Sequence, residues 1–146
     1  MFIDFLEVVD NKLYITLDGR TYLFDENENI NFDKFEYLVK DNFRVEGIYG
    51  YGEYLFFSSK KGILNLRDNE LIPSSLYFNF RVNDVLKLNN ILYIGTSGGL
   101  AIYDLELNQL NNFYDFSFIR NIFKVELVED FLVLLTSTGL IKLNLS

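Results

Sequence analysis

Asn90-Ile91-Leu92-Tyr93-Ile94-Gly95-Thr96-Ser97-Gly98-Gly99-Leu100-Ala101-Ile102-Tyr103-Asp104 is the stretch that decides the fold. Two short runs rich in β-branched and aromatic residues flank a Ser/Gly turn, which is how a hairpin reads. A copy stands 79 residues earlier, with no gap: Asn11-Lys12-Leu13-Tyr14-Ile15-Thr16-Leu17-Asp18-Gly19-Arg20-Thr21-Tyr22-Leu23-Phe24-Asp25. Between them lies Tyr54-Leu55-Phe56-Phe57-Ser58-Ser59-Lys60-Lys61-Gly62-Ile63-Leu64-Asn65-Leu66, and after them Phe131-Leu132-Val133-Leu134-Leu135-Thr136-Ser137-Thr138-Gly139-Leu140-Ile141-Lys142-Leu143. The anchor residues Leu13, Leu55, Leu92 and Leu132 are 42, 37 and 40 apart.

A period near 40 residues with several short strands per period is the pattern of a propeller blade. In the third unit, strand A covers Val82–Leu88, Asn89-Asn90 turns the chain, and strand B runs Ile91–Thr96. Strand C covers residues 100–105, and an Asn-rich turn leads to an alternating strand D. Strand D is expected at Phe35, Tyr37 and Val39 in the first unit. In the second it is expected at Leu76, Phe78 and Phe80, and in the third at Tyr114, Phe116 and Phe118. The spacing of Phe32, Phe35, Leu38 and Val39 also fits a short amphipathic helix. The equivalent segments of the other units lack that spacing, which favours strand. The sequence thus predicts an all-β fold, a small propeller or partial propeller in one domain. Its four blade-like repeats span about 1–40, 41–79, 80–119 and 120–146, and the last lacks its outer strand.

The motif of the third unit resembles the two-component regulator propeller repeat. Tyr93-Ile94-Gly95-Thr96, Gly98-Gly99-Leu100 and Tyr103-Asp104 stand where that family carries an aromatic, Ile-Gly-Thr, Gly-Gly-Leu and an aromatic-Asp pair. The other units share the hydrophobic pattern and the turn glycine. The resemblance implies a propeller fold, and its members serve as sensory parts of signalling proteins, so it also implies a ligand-sensing propeller for a carbohydrate-like molecule.

Composition narrows the chemistry. The chain has 146 residues, 49% of them hydrophobic and 17% aromatic, enough apolar surface for a folded domain despite a net charge of −8. That charge speaks against a general grip on nucleic acid. With no His and no Cys, the usual general base, zinc ligands, disulfides and Ser-His-Asp or Cys-His sites are excluded. The absence of thiols, and an N-terminus (Met1-Phe2-Ile3-Asp4-Phe5-Leu6-Glu7) without a basic, apolar leader, give a cytoplasmic expectation with no membrane anchor. A glycosidase or lyase working with two carboxylates stays open as an alternative, but 21 acids offer no way to choose a pair. Gly47-Ile48-Tyr49-Gly50-Tyr51-Gly52 has a superficial phosphate-loop spacing and reads instead as a bend between strands A and B. Residues 25–36 place oxygen-bearing side chains at the calcium-loop positions but have Ile30 where that loop needs Gly, so they read as a C–D hairpin turn. No metal or other cofactor is expected.

Two surfaces are candidates for a protein partner. In a blade, B–C turns and D–A links share one face of the disc, and A–B and C–D turns share the other. Sorted by that rule, Arg20, Lys60, Lys61, Lys40, Arg44, Arg81 and Arg120 gather on one face. Asp10, Asp25, Glu26, Glu28, Glu53, Asp68, Glu70, Asp104, Glu106, Glu129 and Asp130 gather on the other. Asn42-Phe43-Arg44-Val45 and Asn79-Phe80-Arg81-Val82 repeat one motif, and Ile119-Arg120-Asn121 nearly does. A partner-binding face built on Arg20, Lys60, Lys61, Arg44, Arg81 and Arg120 competes with a role for the arginines in tying blades together through carbonyls or Asp41 and Asp84. The second surface is the last strand, residues 140–145, expected to be an open edge that pairs with a partner or a second copy, or is covered by ring closure. Together these features point to a non-catalytic protein-binding module that docks a larger partner through a loop face or its open edge strand.

Overall fold

The computed structural model describes residues 3–9, 12–17, 20–25, 28–31, 46–52, 54–59, 62–67, 70–71, 76–77, 80–115 and 121–145. These fall into two compact units, Met1–Phe78 and Asn79–Ser146, and every regular element among the described residues is a β-strand. Among them no helix is long and apolar enough to cross a membrane.

Unit 1 holds two antiparallel sheets. The first orders β1 (Ile3–Val9), β2 (Lys12–Leu17), β3 (Arg20–Asp25) and β4 (Glu28–Asn31) as consecutive neighbours. The second comprises β5 (Gly47–Tyr51), β6 (Tyr54–Ser59), β7 (Gly62–Arg67), β8 (Glu70–Leu71) and β9 (Leu76–Tyr77). Both β8 and β9 pair with β7, so the fourth position of this sheet is shared by two short pieces on either side of a segment containing Pro73.

Unit 2 also holds two sheets. One is β10 (Val82–Leu88), β11 (Ile91–Thr96), β12 (Leu100–Asp104) and β13 (Gln109–Tyr114); the other is β14 (Ile122–Val128), β15 (Phe131–Thr136) and β16 (Gly139–Asn144). Strands A, B and C of the third repeat therefore fall where the sequence puts them, and the fourth repeat has three strands.

In the first repeat β4 covers Glu28–Asn31, and Phe35, Tyr37 and Val39, with the rival helix, lie outside the described residues. The D strand of the third repeat comes earlier than expected. In the third repeat the strand starts at Gln109 and reaches only Tyr114; Phe116 and Phe118 lie outside. The cause is local. Asp104 Oδ1 accepts the N–H groups of Glu106 and Leu107 (2.9 Å each), and Asn108 adopts φ 51°, so the chain reverses immediately after β12. The Asn111-Asn112 pair that looks like the turn lies inside the strand. In the second repeat Leu76 is in β9, Phe78 lies outside, and Phe80 forms a bend. The segment read as a glycine-rich bend is strand β5 itself. Only Gly52, at φ 62°, belongs to the turn.

Pairing register gives each blade two faces, because side chains directly opposite across strands share a face. In the third repeat Leu86, Tyr93 and Ile102 form one row, followed by Gly95 with Leu100. This onward face meets the following blade: Leu100, Ile122, Val125, Leu132 and Leu134 form one buried cluster, with Leu86, Tyr93, Ile102, Ile141 and Leu143 packed against it. Gly95 makes the close approach possible. A Cβ there would sit 2.8 Å from Ile122 Cγ2 and 3.0 Å from Val125 Cγ2. Unit 1 repeats the contact, with Tyr14 (one residue after its anchor leucine, like Tyr93) meeting Phe57 edge-on at 6.1 Å.

Candidate functional site

The turn motif that carried the sequence reading is a structural device. Thr96 is fully buried, and its hydroxyl donates to the Gly99 carbonyl (2.8 Å) while accepting the N–H groups of Gly98 (3.1 Å) and Gly99 (3.0 Å). Gly99 has φ +151°, and a Cβ there would overlap the Tyr114 carbonyl oxygen, so only glycine fits. The fourth repeat uses the same lock with Thr136, whose hydroxyl donates to the Gly139 carbonyl at 2.7 Å and accepts the Thr138 N–H at 3.2 Å.

Backbone hydrogen bonds in unit 2 show which turns share an end of each blade. At one end, the B–C turn is zipped to the segment entering strand A: Ser97 N–H donates to the Arg81 carbonyl (2.9 Å), and Ser137 N–H to that of Asn121 (3.1 Å). At the other end, Leu105 N–H donates to the Asn90 carbonyl (2.8 Å), and Leu145 N–H to that of Asp130 (3.1 Å), joining C–D to A–B turns. Asp104, Glu106, Glu129 and Asp130 lie at this second end. Arg81 lies at the first, exposed, with the exposed Asp115 following β13 at the same end.

Of the six residues proposed for the basic face, Arg81 alone has a described side chain. Arg20 opens β3, but its side chain lies outside the described residues, as do Arg44, Lys60, Lys61 and Arg120 altogether. The hydrogen bonds also show that Asn121, not Arg120, occupies the position of Arg81 in the next blade. Phe80 of the repeated motif stacks on Phe113 at 5.6 Å and covers Gly98.

The blade-to-blade ties expected of the arginines are made in unit 2 by the two residues after Val82. Asn83 Nδ2 donates to the Ile122 carbonyl at 3.0 Å, and Asp84 Oδ2 accepts the Val125 N–H at 2.8 Å. Burial pushes the Asp84 carboxyl above its ordinary value, against the lowering effect of the Val125 and Val85 amides and Lys124. Sequence reasoning had cast Asp84 only as a possible arginine partner and missed Asn83, because one Asn-Asp pair inside a strand carries no repeat signal.

Of residues 25–36, Asp25 pairs with Glu28 and Glu28–Asn31 is strand, while 26–27 and 32–36 lie outside the described residues. Among the described residues, no three carboxylates gather where they could hold a metal ion.

The open side of the last blade is the surface the structure describes best. Each of β3, β7 and β12 has a fourth-position partner, but among the described residues β16 pairs with β15 alone. Its onward face differs in kind from that of the third blade. By register, Lys124, Leu135 and Leu140 share one row, and Glu126, Val133 and Lys142 the next. Glu126 and Lys142 thus replace Leu86 and Ile102, and Leu135 replaces the Gly95 that lets a further blade approach. Lys124 and Glu126 form an exposed ion pair at 3.4 Å, and Lys142 lies over the Phe131 ring at 3.7 Å. Leu140 is 72% exposed and its neighbour Leu135 44%, although the equivalent Leu100 is fully buried.

No protein-family model matches the chain, and no curated protein matches it. Solved structures do. The computationally designed protein Ika4 matches with a TM-score of 0.73 at 12% identity, over 99% of this chain and 92% of that one. The extracellular domain of the one-component system BT4673 from B. thetaiotaomicron gives 0.73 at 17% identity, over 96% of this chain and 20% of its own. The extracellular domain of the hybrid two-component system BT3049 from the same organism gives 0.69 at 18%, over 98% and 20%. The fold is propeller-like. At these identities the likeness is one of fold alone, and the chain spans about a fifth of the length of the two B. thetaiotaomicron domains. Those domains are extracellular, so the cytoplasmic expectation draws no support from them.

Proposed function

We propose that this protein is a non-catalytic protein-binding module that docks a partner through the open side of its last blade. The observation that carries the reading is that, among the described residues, β16 has one strand neighbour where β3, β7 and β12 have a further one on their outer side. An edge strand offers its backbone groups to an added strand, a common mode of peptide capture. The exposed Leu135 and Leu140 beside that edge supply apolar contact. The basic loop face of Arg20, Lys60, Lys61, Arg44, Arg81 and Arg120 is the second docking surface of the same proposal. Affinity capture from the source cell with three baits decides between them. Wild type and an Arg44→Glu, Arg81→Glu, Arg120→Glu triple variant should hold the same partner, and Leu140→Pro, which removes an N–H that faces away from β15, should release it while keeping its β spectrum. Release by the triple variant alone, at unchanged stability, moves the site to the loop face; retention by all three overturns the reading.

A second reading follows the repeat resemblance of the third unit: a ligand-sensing propeller for a carbohydrate-like molecule, as part of a signalling protein, a reading compatible with the fold likeness to extracellular domains of one- and two-component systems. Calorimetry against an oligosaccharide panel tests it. Saturable binding by wild type and Leu140→Pro alike would favour it over edge docking.

A further inference from the structure

We infer that the segment added to β16 is an extended strand with an acidic residue two positions before an aromatic one, an inference that rests on the edge-docking reading above. The third blade shows what a fourth strand does in this chain. β13 runs antiparallel to β12, with Tyr114 opposite Leu100 and Asn112 opposite Ile102. Phe113 between them points to the other face and is half-buried. In the last blade Leu140 stands in the place of Leu100, and Lys142 in the place of Ile102. An incoming antiparallel strand therefore sets one residue against Leu140 and, two positions earlier, one against Lys142.

The chemistry of each position follows from what is exposed there. Leu140 and Leu135 together present an uncovered apolar row, which a large aromatic side chain covers as β13 and the following blade help to cover Leu100. Lys142 is held over the Phe131 ring with its charge at the outer strand. Opposite charges across neighbouring strands attract, and like charges there repel. Lys124, in the Leu140 row, adds a second cation on the same face, with Glu126 paired to it. The residue between the acid and the aromatic turns toward the face of Ile141 and Leu143, which is apolar, so it too is apolar. A second copy of β16 meets these demands poorly. Pairing centred on Ile141 sets Lys142 opposite Leu140, and pairing centred on Lys142 sets two lysines together.

The chain's own outer strand supplies the probe. A labelled peptide of residues 109–115 carrying Asn112→Glu has the inferred pattern, and the same peptide with Asn112→Lys is its charge-reversed control. Fluorescence anisotropy with the whole protein should show the Glu peptide bound about fivefold more tightly than the Lys peptide at low salt. The preference should shrink as salt screens it. Lys142→Glu should invert the preference and Lys142→Gln abolish it; the position is exposed, so folding is retained in both variants, and an unchanged melting curve verifies this. Equal affinities for the two peptides on wild type and Lys142→Glu would overturn the inferred chemistry. So would failure of either peptide to bind at millimolar concentration, or light scattering showing the edge filled by a second copy. If Leu140→Pro releases the captured partner while the peptides fail, the docking edge stands and only the chemistry falls. If the partner stays on Leu140→Pro, the reading beneath falls as well.

Discussion

Replacing Thr96 by Val keeps the shape of the side chain and removes only its hydroxyl, so the variant isolates what the turn lock contributes. Three hydrogen bonds go: one to the Gly99 carbonyl and two from the Gly98 and Gly99 amides. The carbonyl keeps the Thr96 N–H at 2.9 Å and is not orphaned. The Gly99 amide is buried and left without this acceptor, at about 1–3 kcal/mol, and the half-buried Gly98 amide adds roughly 1 kcal/mol. A total of about 2–4 kcal/mol corresponds to a melting shift of roughly 6–12 °C for a chain of this size. The Thr136→Val variant makes the same change in the last blade, where Thr138 and Gly139 are exposed and water can replace the hydroxyl. Its cost should be about 1 kcal/mol or less. Thermal melting, with hydrogen exchange followed at residues 97–100 and 137–140, separates the two. Equal costs for both variants, or a Thr96→Val cost below about 1 kcal/mol, would refute the claim that burial of the lock sets its worth.

Gly95→Ala should destabilise by about 1–3 kcal/mol, because its Cβ would press on Ile122 and Val125; adding Ile122→Ala should make the pair cost clearly less than the sum of the single changes. Additive costs would show that the blades can part without penalty. Asp84 gives a pH test. Its folded carboxyl titrates above the ordinary 3.8, so its contribution is present in full below that value and is lost as pH rises through the folded pKa. Asp84→Asn keeps an oxygen for the Val125 amide and removes the titration, so the stability of the variant minus that of wild type should climb with pH just above 4. A flat or falling difference, from denaturant melts at closely spaced pH values, would contradict it.

The blade repeat was legible because it rests on repetition: four anchor leucines, and a Thr-x-x-Gly turn that recurs at Thr96 and Thr136. The limits of strand D were not, since the turn after β12 is set by the Asp104 carboxylate and the positive φ of Asn108, and the eye goes instead to Asn111-Asn112. The open edge at the last strand was expected and is seen among the described residues. What makes its face distinctive, Glu126, Leu135 and Lys142 at positions held by Leu86, Gly95 and Ile102, lies in plain view in the sequence. It acquires meaning only when strand register shows which residues share a face. The arginine motif stood out through repetition. Asn83 and Asp84, whose side chains bond to the following blade, did not, because they are not repeated.

The docking account turns on whether β16 is an open edge in solution. Hydrogen exchange of the free protein, residue by residue, compares it directly with β12, the equivalent strand that has neighbours on both sides. Alternate amides of β16 should exchange orders of magnitude faster than those of β12, and should slow when the captured partner or the Asn112→Glu peptide is added. Amides of β16 as slow as those of β12 in the free protein would mean that the edge is already paired, and would contradict the account.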